Sequence, residues 1–294
     1  MFFDPRELAA KVRELGNRLS PAVLEGAQAL YAPFHESEPY TGVRVTRDVA
    51  YGAHERQQLD LFEPQPHSAN RAAPVVVFIH GGGFVGGDKK RPGTPYHDNV
   101  ALWAVRHGLV GVNITYRLAP AFPWPAGAED VGAALQWLRD NLEAYGGDPG
   151  RIHLMGTSAG AVHAAGYLAH PAFHPASGAG LAGAILVSGL YDMETAERNP
   201  LLKVYFGADP ARYAERSPLN GLMEARVPLM FALAEHDPND FERQALQLVN
   251  AFHARHGRWP RLVRLMGHNH FTATLHLNTP DDYFGRQILD FIGA

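Results

Sequence analysis

The residue with the plainest chemical case is a serine held between glycines. Gly156-Thr157-Ser158-Ala159-Gly160 follows a short apolar run and opens an alanine-rich stretch. A strand that turns straight into a helix through such a corner strains the serine's backbone and exposes its hydroxyl. The flanking glycines lack the Cβ atoms that would collide as strand and helix close on each other. In a chain with 30 glycines, these five residues alone carry little weight. A serine hydroxyl is a weak nucleophile. It needs a base, an acid that orients the base, and donors for the oxyanion that its attack creates.

Donors are offered upstream. His80-Gly81-Gly82-Gly83-Phe84 directly follows the apolar run 74–79. Three glycines in a row let the backbone come close to a ligand and aim its N–H groups inward. A phosphate loop would continue with Gly-Lys-Ser or Gly-Lys-Thr, but here the chain reads Gly86-Gly87-Asp88-Lys89-Lys90. An oxyanion loop is therefore preferred over a phosphate loop or a merely flexible one.

An acid and a base are offered downstream. The apolar run 229–233 leads into Ala234-Glu235-His236-Asp237-Pro238-Asn239-Asp240. Asp237 lies just past the strand's carboxyl end, where sites form in open α/β sheets. Asp240 is expected to begin the next helix as a capping carboxylate, and Glu235 and His236 to be structural or solvent-facing. The run 262–266 leads into Gly267-His268-Asn269-His270-Phe271. Two histidines compete there for the role of base, and His270 is preferred. A metal pair His268-x-His270 is disfavoured, because no cysteine and no neighbouring carboxylate cluster accompanies it.

In this order these pieces resemble an α/β hydrolase of the hormone-sensitive-lipase-like esterase branch. The matching stretches are His80–Gly83, Tyr116-Arg117-Leu118-Ala119-Pro120 with Phe122-Pro123, Gly156–Gly160, Asp237-Pro238 and His270-Phe271. Glu129-Asp130 after the Tyr-Arg-Leu-Ala-Pro stretch belongs to the same signature. The resemblance spans roughly residues 43–292. It implies Ser158 as nucleophile, Asp237 as acid and His270 as base, with Gly82, Gly83 and Ala159 as oxyanion donors. Thr157 and Ala161 stand where many relatives carry aspartate and glycine. Ser188-Gly189-Leu190-Tyr191-Asp192 and His270-Phe271 look closer to arylformamidase-like and feruloyl-esterase-like neighbours.

The elements that must position these residues are legible as periodicity. Alternation from Val43 to Tyr51 and at Leu59 and Leu61 predicts two antiparallel strands. Residues 63–73 are polar and proline-bearing, a loop. Continuous apolar runs at 74–79, 109–116, 152–155, 184–187, 229–233 and 262–266 predict strands buried on both faces. Helical spacing is found at 126–144, 159–169, 240–254 and 281–293. Strands alternating with helices predict a mainly parallel, doubly wound sheet in one catalytic domain over 41–294. Residues 4–31 carry two further helices, and 1–40 is expected to form a small helical cap over the site.

Composition sets bounds. The chain has 294 residues, no cysteine and a net charge of −4. Disulfides, thiolate metal sites and a cysteine nucleophile are excluded, and no basic patch speaks for nucleic acid. The N-terminus lacks a signal-peptide pattern and no run reaches membrane-span length. The expectation is a cytoplasmic serine hydrolase that needs no metal or organic cofactor. Its substrate would be a small ester with a short acyl chain or an aryl alcohol. Phe84, Trp124, Tyr191, Tyr205, Phe206 and Phe271 lie in loops that could line an apolar pocket, and 201–213 could supplement the cap. An amide hydrolase of the arylformamidase type would use the same triad. A non-catalytic binding protein on this scaffold would be expected to lose one of the three. The last helix and the edge strand before it offer a surface for a homodimer.

Overall fold

A computed structural model describes residues 4–65 and 72–294. The loop expected at 63–73 falls largely outside the described residues. Among the described residues, eight strands form one sheet: β1 (Val43–Ala50), β2 (Gln58–Pro64), β3 (Ala73–Ile79), β4 (Val110–Ile114), β5 (Gly147–Thr157), β6 (Gly183–Val187), β7 (Leu229–His236) and β8 (Arg261–Asn269). The helices are α1 (Pro5–Leu15), α2 (Pro21–Tyr31), α3 (Asp98–Arg106), α4 (Ala126–Asn141), α5 (Ala159–Ala169), α6 (Pro200–Phe206), α7 (Tyr213–Arg216), α8 (Leu219–Met223), α9 (Asn239–His256), α10 (Thr272–Leu275) and α11 (Tyr283–Ile292).

The strand order is β1-β2-β4-β3-β5-β6-β7-β8. β1 and β2 pair antiparallel with each other and β2 pairs antiparallel with β4; from β4 to β8 every pairing is parallel. Apolar runs explain the interior strands. Val75, Val77 and Ile79 of β3 face one layer, with α4, α5, α8 and α9 over it. Val76 and Phe78 face the other, under α3 and α11. A side chain of this kind contributes about 2 kcal/mol when fully buried, so a strand covered on both faces has no reason to alternate.

The order also locates the site. The chain leaves β3 toward β4 on one side and returns to β5 on the other. The loops after β3 and β5 therefore start side by side at a topological switch point, with Ile79 paired to Gly156. At the far end of the sheet His236 pairs with Asn269. That register sets Asp237 and His270 next to each other.

Several elements differ from the sequence expectation: the short helices α6, α7, α8 and α10 were not expected, and the ends of the loop expected at 63–73 belong to β2 and β3. α3 was not expected, because Val100 to Val105 are all buried and present no polar face; without a stripe there is no helical period to detect. The helix expected at 126–144 ends at Asn141 and tightens into a 3₁₀ turn over Leu142–Tyr145.

The N-terminal helices start at caps readable in the sequence. Asp4 accepts from the N–H groups of Arg6 and Glu7, and Ser20 from Val23. Leu8, Val12, Ala27 and Tyr31 pack with Tyr96 and Leu275. The segment is tied down by hydrogen bonds from Asn269 Nδ2 to Gly16 O (3.0 Å), from Tyr96 Oη to Gln28 O (2.9 Å) and from His35 Nε2 to Leu275 O (2.8 Å). Among the described residues, no helix is long and apolar enough to cross a membrane.

Candidate active site

β5 runs into α5 with one residue between them. That residue, Ser158, has φ 53° and ψ −122°, a conformation that costs a non-glycine residue about 1–3 kcal/mol. The flanking glycines are forced by contact. A Cβ on Gly156 would lie 2.4 Å from Gly160 O, and one on Gly160 would lie 2.2 Å from Ile79 O. The corner is held by the Ser158 N–H donating to Val187 O at 2.9 Å.

His270 and Asp237 are joined. His270 Nδ1 lies 2.6 Å from Asp237 Oδ1, and both side chains are buried. With Nδ1–H donating to the carboxylate, the lone pair of the neutral ring is at Nε2. Asp237 Oδ2 accepts from Ser188 Oγ at 2.6 Å and from the Ala234 N–H at 2.8 Å. The carboxylate is thus aimed by two donors before it meets the imidazole. Ser188 was quoted from the sequence only as part of a resemblance. The signal for its contact was its place immediately after β6, the neighbour of the strand that delivers Asp237.

The other histidine of the loop is engaged elsewhere. His268 places Nε2 3.2 Å from Asp281 Oδ2 and Nδ1 3.3 Å from Thr272 Oγ1. Its ring lies 4.1 Å from that of His276. Among the described residues, His268, His276 and Asp281 form the one group that could offer three ligand atoms to a metal ion, all within 4.8 Å of one another. His270 is not in it; its Nδ1 faces Asp237 instead. Asp240 departs from its expected role. It lies in the first turn of α9 but accepts from the Glu197 N–H at 2.9 Å instead of capping its own helix. Glu235 accepts from Gly267 N–H at 2.7 Å, which ties β7 to β8.

On the donor side, the N–H groups of Gly82 and Gly83 donate no hydrogen bond among the described residues. Ala159 is the first residue of α5, where an N–H lacks an intrahelical partner. Gly82 has φ +141° and a Cβ there would lie 2.0 Å from Gly86 O; Gly83 has φ +60°. His80 steadies the loop. Its Nδ1–H donates to Gly81 O at 2.6 Å, and its ring stacks on Tyr116 at 4.4 Å. Burial holds its pKa well below the usual range, so it stays neutral. Tyr116 Oη donates to His80 O at 3.0 Å. Arg117 is clamped by the buried Asp130, which also takes a hydrogen bond from Gln57. The Tyr-Arg signature and the Glu-Asp pair are therefore one brace behind the glycine loop, built from residues far apart in sequence.

Two clefts meet at Ser158. One, of about 580 Å³, is lined by Gly81, Gly82, His270 and Phe271, with Leu24 from α2 at its edge. The other, of about 620 Å³, is lined by Gly83, Phe84, Ala159, Val162, Leu202 and Phe241, with Leu19 at its edge. Of the six aromatic residues expected to line the pocket, Phe84 and Phe271 do so, while Tyr205 is buried and stacks on Phe84 at 4.6 Å. Tyr191 instead packs in the core against Phe231. Phe206 lies behind Phe84, edge-on at 5.8 Å. Trp124 is turned to His170 and Arg216. A loop position in the sequence does not say which way a ring points.

A strained serine between β5 and α5, a buried carboxylate–imidazole pair and a glycine donor loop on this sheet define an α/β hydrolase. Comparison with known proteins agrees. The prolyl oligopeptidase family model matches residues 126–293 and the BD-FAE model residues 59–171. The chain belongs to the prolyl oligopeptidase family of α/β hydrolases, and its curated relatives are esterases of the hormone-sensitive-lipase-like branch. Esterase LipQ of Mycobacterium tuberculosis is 31% identical over 206 residues, 66% of this chain and 47% of that protein. Carboxylesterase NlhH of the same organism is 48% identical over 88 residues, 30% of this chain and 26% of that protein. This chain spans half or less of the length of these relatives. Among solved structures, esterase B from Lactobacillus rhamnosis superposes with TM-score 0.73 at 20% identity, over 99% of this chain and 95% of its own.

Proposed function

We propose that the chain is a serine carboxylic-ester hydrolase that works through an acyl-enzyme. The observation that carries this reading is the 2.6 Å link between His270 and Asp237 in a site whose cleft His270 shares with the strained Ser158. In the proposed reaction, His270 Nε2 takes the proton of Ser158 Oγ as the oxygen attacks the ester carbonyl. Asp237 holds the ring in this tautomer and stabilises the imidazolium. The N–H groups of Gly82, Gly83 and Ala159 receive the oxyanion, each worth about 3 kcal/mol in such sites. The tetrahedral adduct collapses, His270 returns the proton to the leaving oxygen, and the alcohol departs. Water then attacks the acyl-serine with His270 again as base, releasing the acid.

Two separate clefts of about 580 and 620 Å³, in place of one continuous groove, favour short acyl or aryl groups. α1 and α2 act in this reading as a cap, since Leu19 and Leu24 reach the cleft edges. A homodimer pairing through β8 and α11 is proposed on their exposed Met266 and Tyr283; light scattering that gives one chain per particle overturns it. Ser158→Ala tests the chemistry. It is expected to lose at least about 10⁴-fold in kcat on 4-nitrophenyl butyrate and to escape labelling by a fluorophosphonate that modifies the native enzyme. Retained turnover or labelling sinks the assignment.

A further inference from the structure

Three cations stand in a row between the donor loop and α3: Lys89, Lys90 and Arg91. Two of them are neutralised within the fold. Lys89 pairs with Asp48 and, at 3.1 Å, with the buried Asp60. Lys90 pairs with Glu38 and, at 3.6 Å, with the buried Asp98. Arg91 is different. Among the described residues it has no carboxylate within 4.0 Å, yet it is half-buried and lines the cleft that Ser158 and His270 share. It stands beside His97, whose pKa is pushed down to about 4, chiefly by burial and further by the Arg91 charge. A partly desolvated guanidinium without a counter-charge is costly unless something supplies one. Its planar fork matches a carboxylate.

The two clefts have different roles under the reading given above, on which this inference rests. His270 must hand its proton to the leaving oxygen, so the leaving group occupies the cleft that His270 lines. The second cleft lacks His270, is walled by Phe84, Val162 and Phe241, and suits the acyl group. Its rim carries the exposed carboxylate of Glu197, which would repel an anion placed there; the second rim carboxylate, Asp240, is paired with Arg243. We propose that Arg91 selects esters whose leaving alcohol or phenol bears a carboxylate, with the acyl part uncharged. Arg91 is then a specificity residue, not a catalytic one.

The test compares 4-acetoxybenzoate with its methyl ester, which differ in one charge on the leaving group. Both are assayed with the native enzyme, Arg91→Gln and Arg91→Lys. A charged hydrogen-bonded contact of this kind corresponds to about 10- to 100-fold in kcat/KM. The expected result is that Arg91→Gln loses that much more on the carboxylate than on the methyl ester, mainly through KM, and that Arg91→Lys recovers part of it. Because the readout is a ratio, a general loss of folded enzyme cancels. 4-Nitrophenyl hemisuccinate, with its carboxylate on the acyl side, should show no such ratio against 4-nitrophenyl butyrate. Equal losses on both members of the first pair, or a native enzyme that cleaves only the methyl ester, overturn the inference and leave ester hydrolysis standing. A native enzyme that cleaves neither ester and resists the fluorophosphonate overturns the ester reading, and the inference with it.

Discussion

The two flanks of Ser158 are built on opposite principles. On one side lies the donor loop, 80–87, which offers backbone N–H groups and is shaped by what its glycines lack. On the other lie Asp237 and His270, which offer side chains and are shaped by what neighbouring groups donate to them. At Gly82 and Gly87 the donor flank has no freedom in residue type, because a Cβ there would strike Gly86 O or Gly81 O. The acid–base flank is expected to tolerate a change in a supporting residue, because its geometry is shared among several hydrogen bonds. A backbone site is specified by exclusion and fails abruptly. A side-chain site is specified by a network and fails by degrees.

The largest effect should come from the group at the centre of that network. Asp237→Asn replaces the acceptor of the His270 Nδ1 proton with an amide that can present a donor, which favours the wrong tautomer. A fall of about 10⁴-fold in kcat is expected by steady-state assay, and a loss under 10-fold would break the distinction. Next comes the donor flank. Gly82→Ala must move backbone and should lower kcat by about 10²- to 10³-fold. In Gly83→Ala the new Cβ meets only the Leu201 side chain, at 2.7 Å, and the positive φ costs about 1 kcal/mol. Its loss should stay below about 10-fold, and equal losses at the two glycines would show that flexibility, not contact, sets the donor loop.

Ser188→Ala removes one of the two donors that aim Asp237, while the Ala234 N–H remains. A decrease of about 10-fold in kcat with little change in KM is expected. A loss as large as that of Asp237→Asn would mean that the network does not share its load.

The smallest effect is on stability. His97 and His163 are buried behind the donor flank with pKa values pushed down by burial to about 4 and about 3. Unfolded, each titrates near 6.5. Below that pH the unfolded chain binds a proton that the folded chain refuses, so stability is full above about pH 6.5. It then drains at about 1.4 kcal/mol per pH unit per imidazole until the folded pKa is reached. At pH 6 this is under about 1 kcal/mol for each. Urea unfolding at pH 7, 6 and 5 measures the slope, and His163→Gln should reduce it by one proton. An unchanged slope would contradict the neutral state of that ring.

The order of Ser158, Asp237 and His270, and the strands that deliver them, were legible because each follows an apolar run that needs no long-range information. The brace behind the donor loop was not. Arg117 and Asp130 meet only because α4 packs beside the end of β4, and Tyr116 reaches His80 only because β4 and β3 are neighbours. Side-chain direction was equally hidden: Tyr191 and Phe84 both follow strands, yet one faces the core and the other the cleft. His268 and His270 differ by two positions, and nothing local distinguishes the one that turns to Asp237 from the one that turns to Asp281.

One hydrogen bond has a consequence for anyone reshaping the cleft. Asn269, the residue before His270, holds Gly16 at the end of α1. The N-terminal helices and the loop that carries His270 are therefore mechanically linked. Trimming the first two helices to admit bulkier molecules would also release the anchor of the loop that carries the imidazole. Access and turnover are then not independent engineering variables, and a wider mouth has to be sought by substituting Leu19 or Leu24, which leaves Gly16 in place.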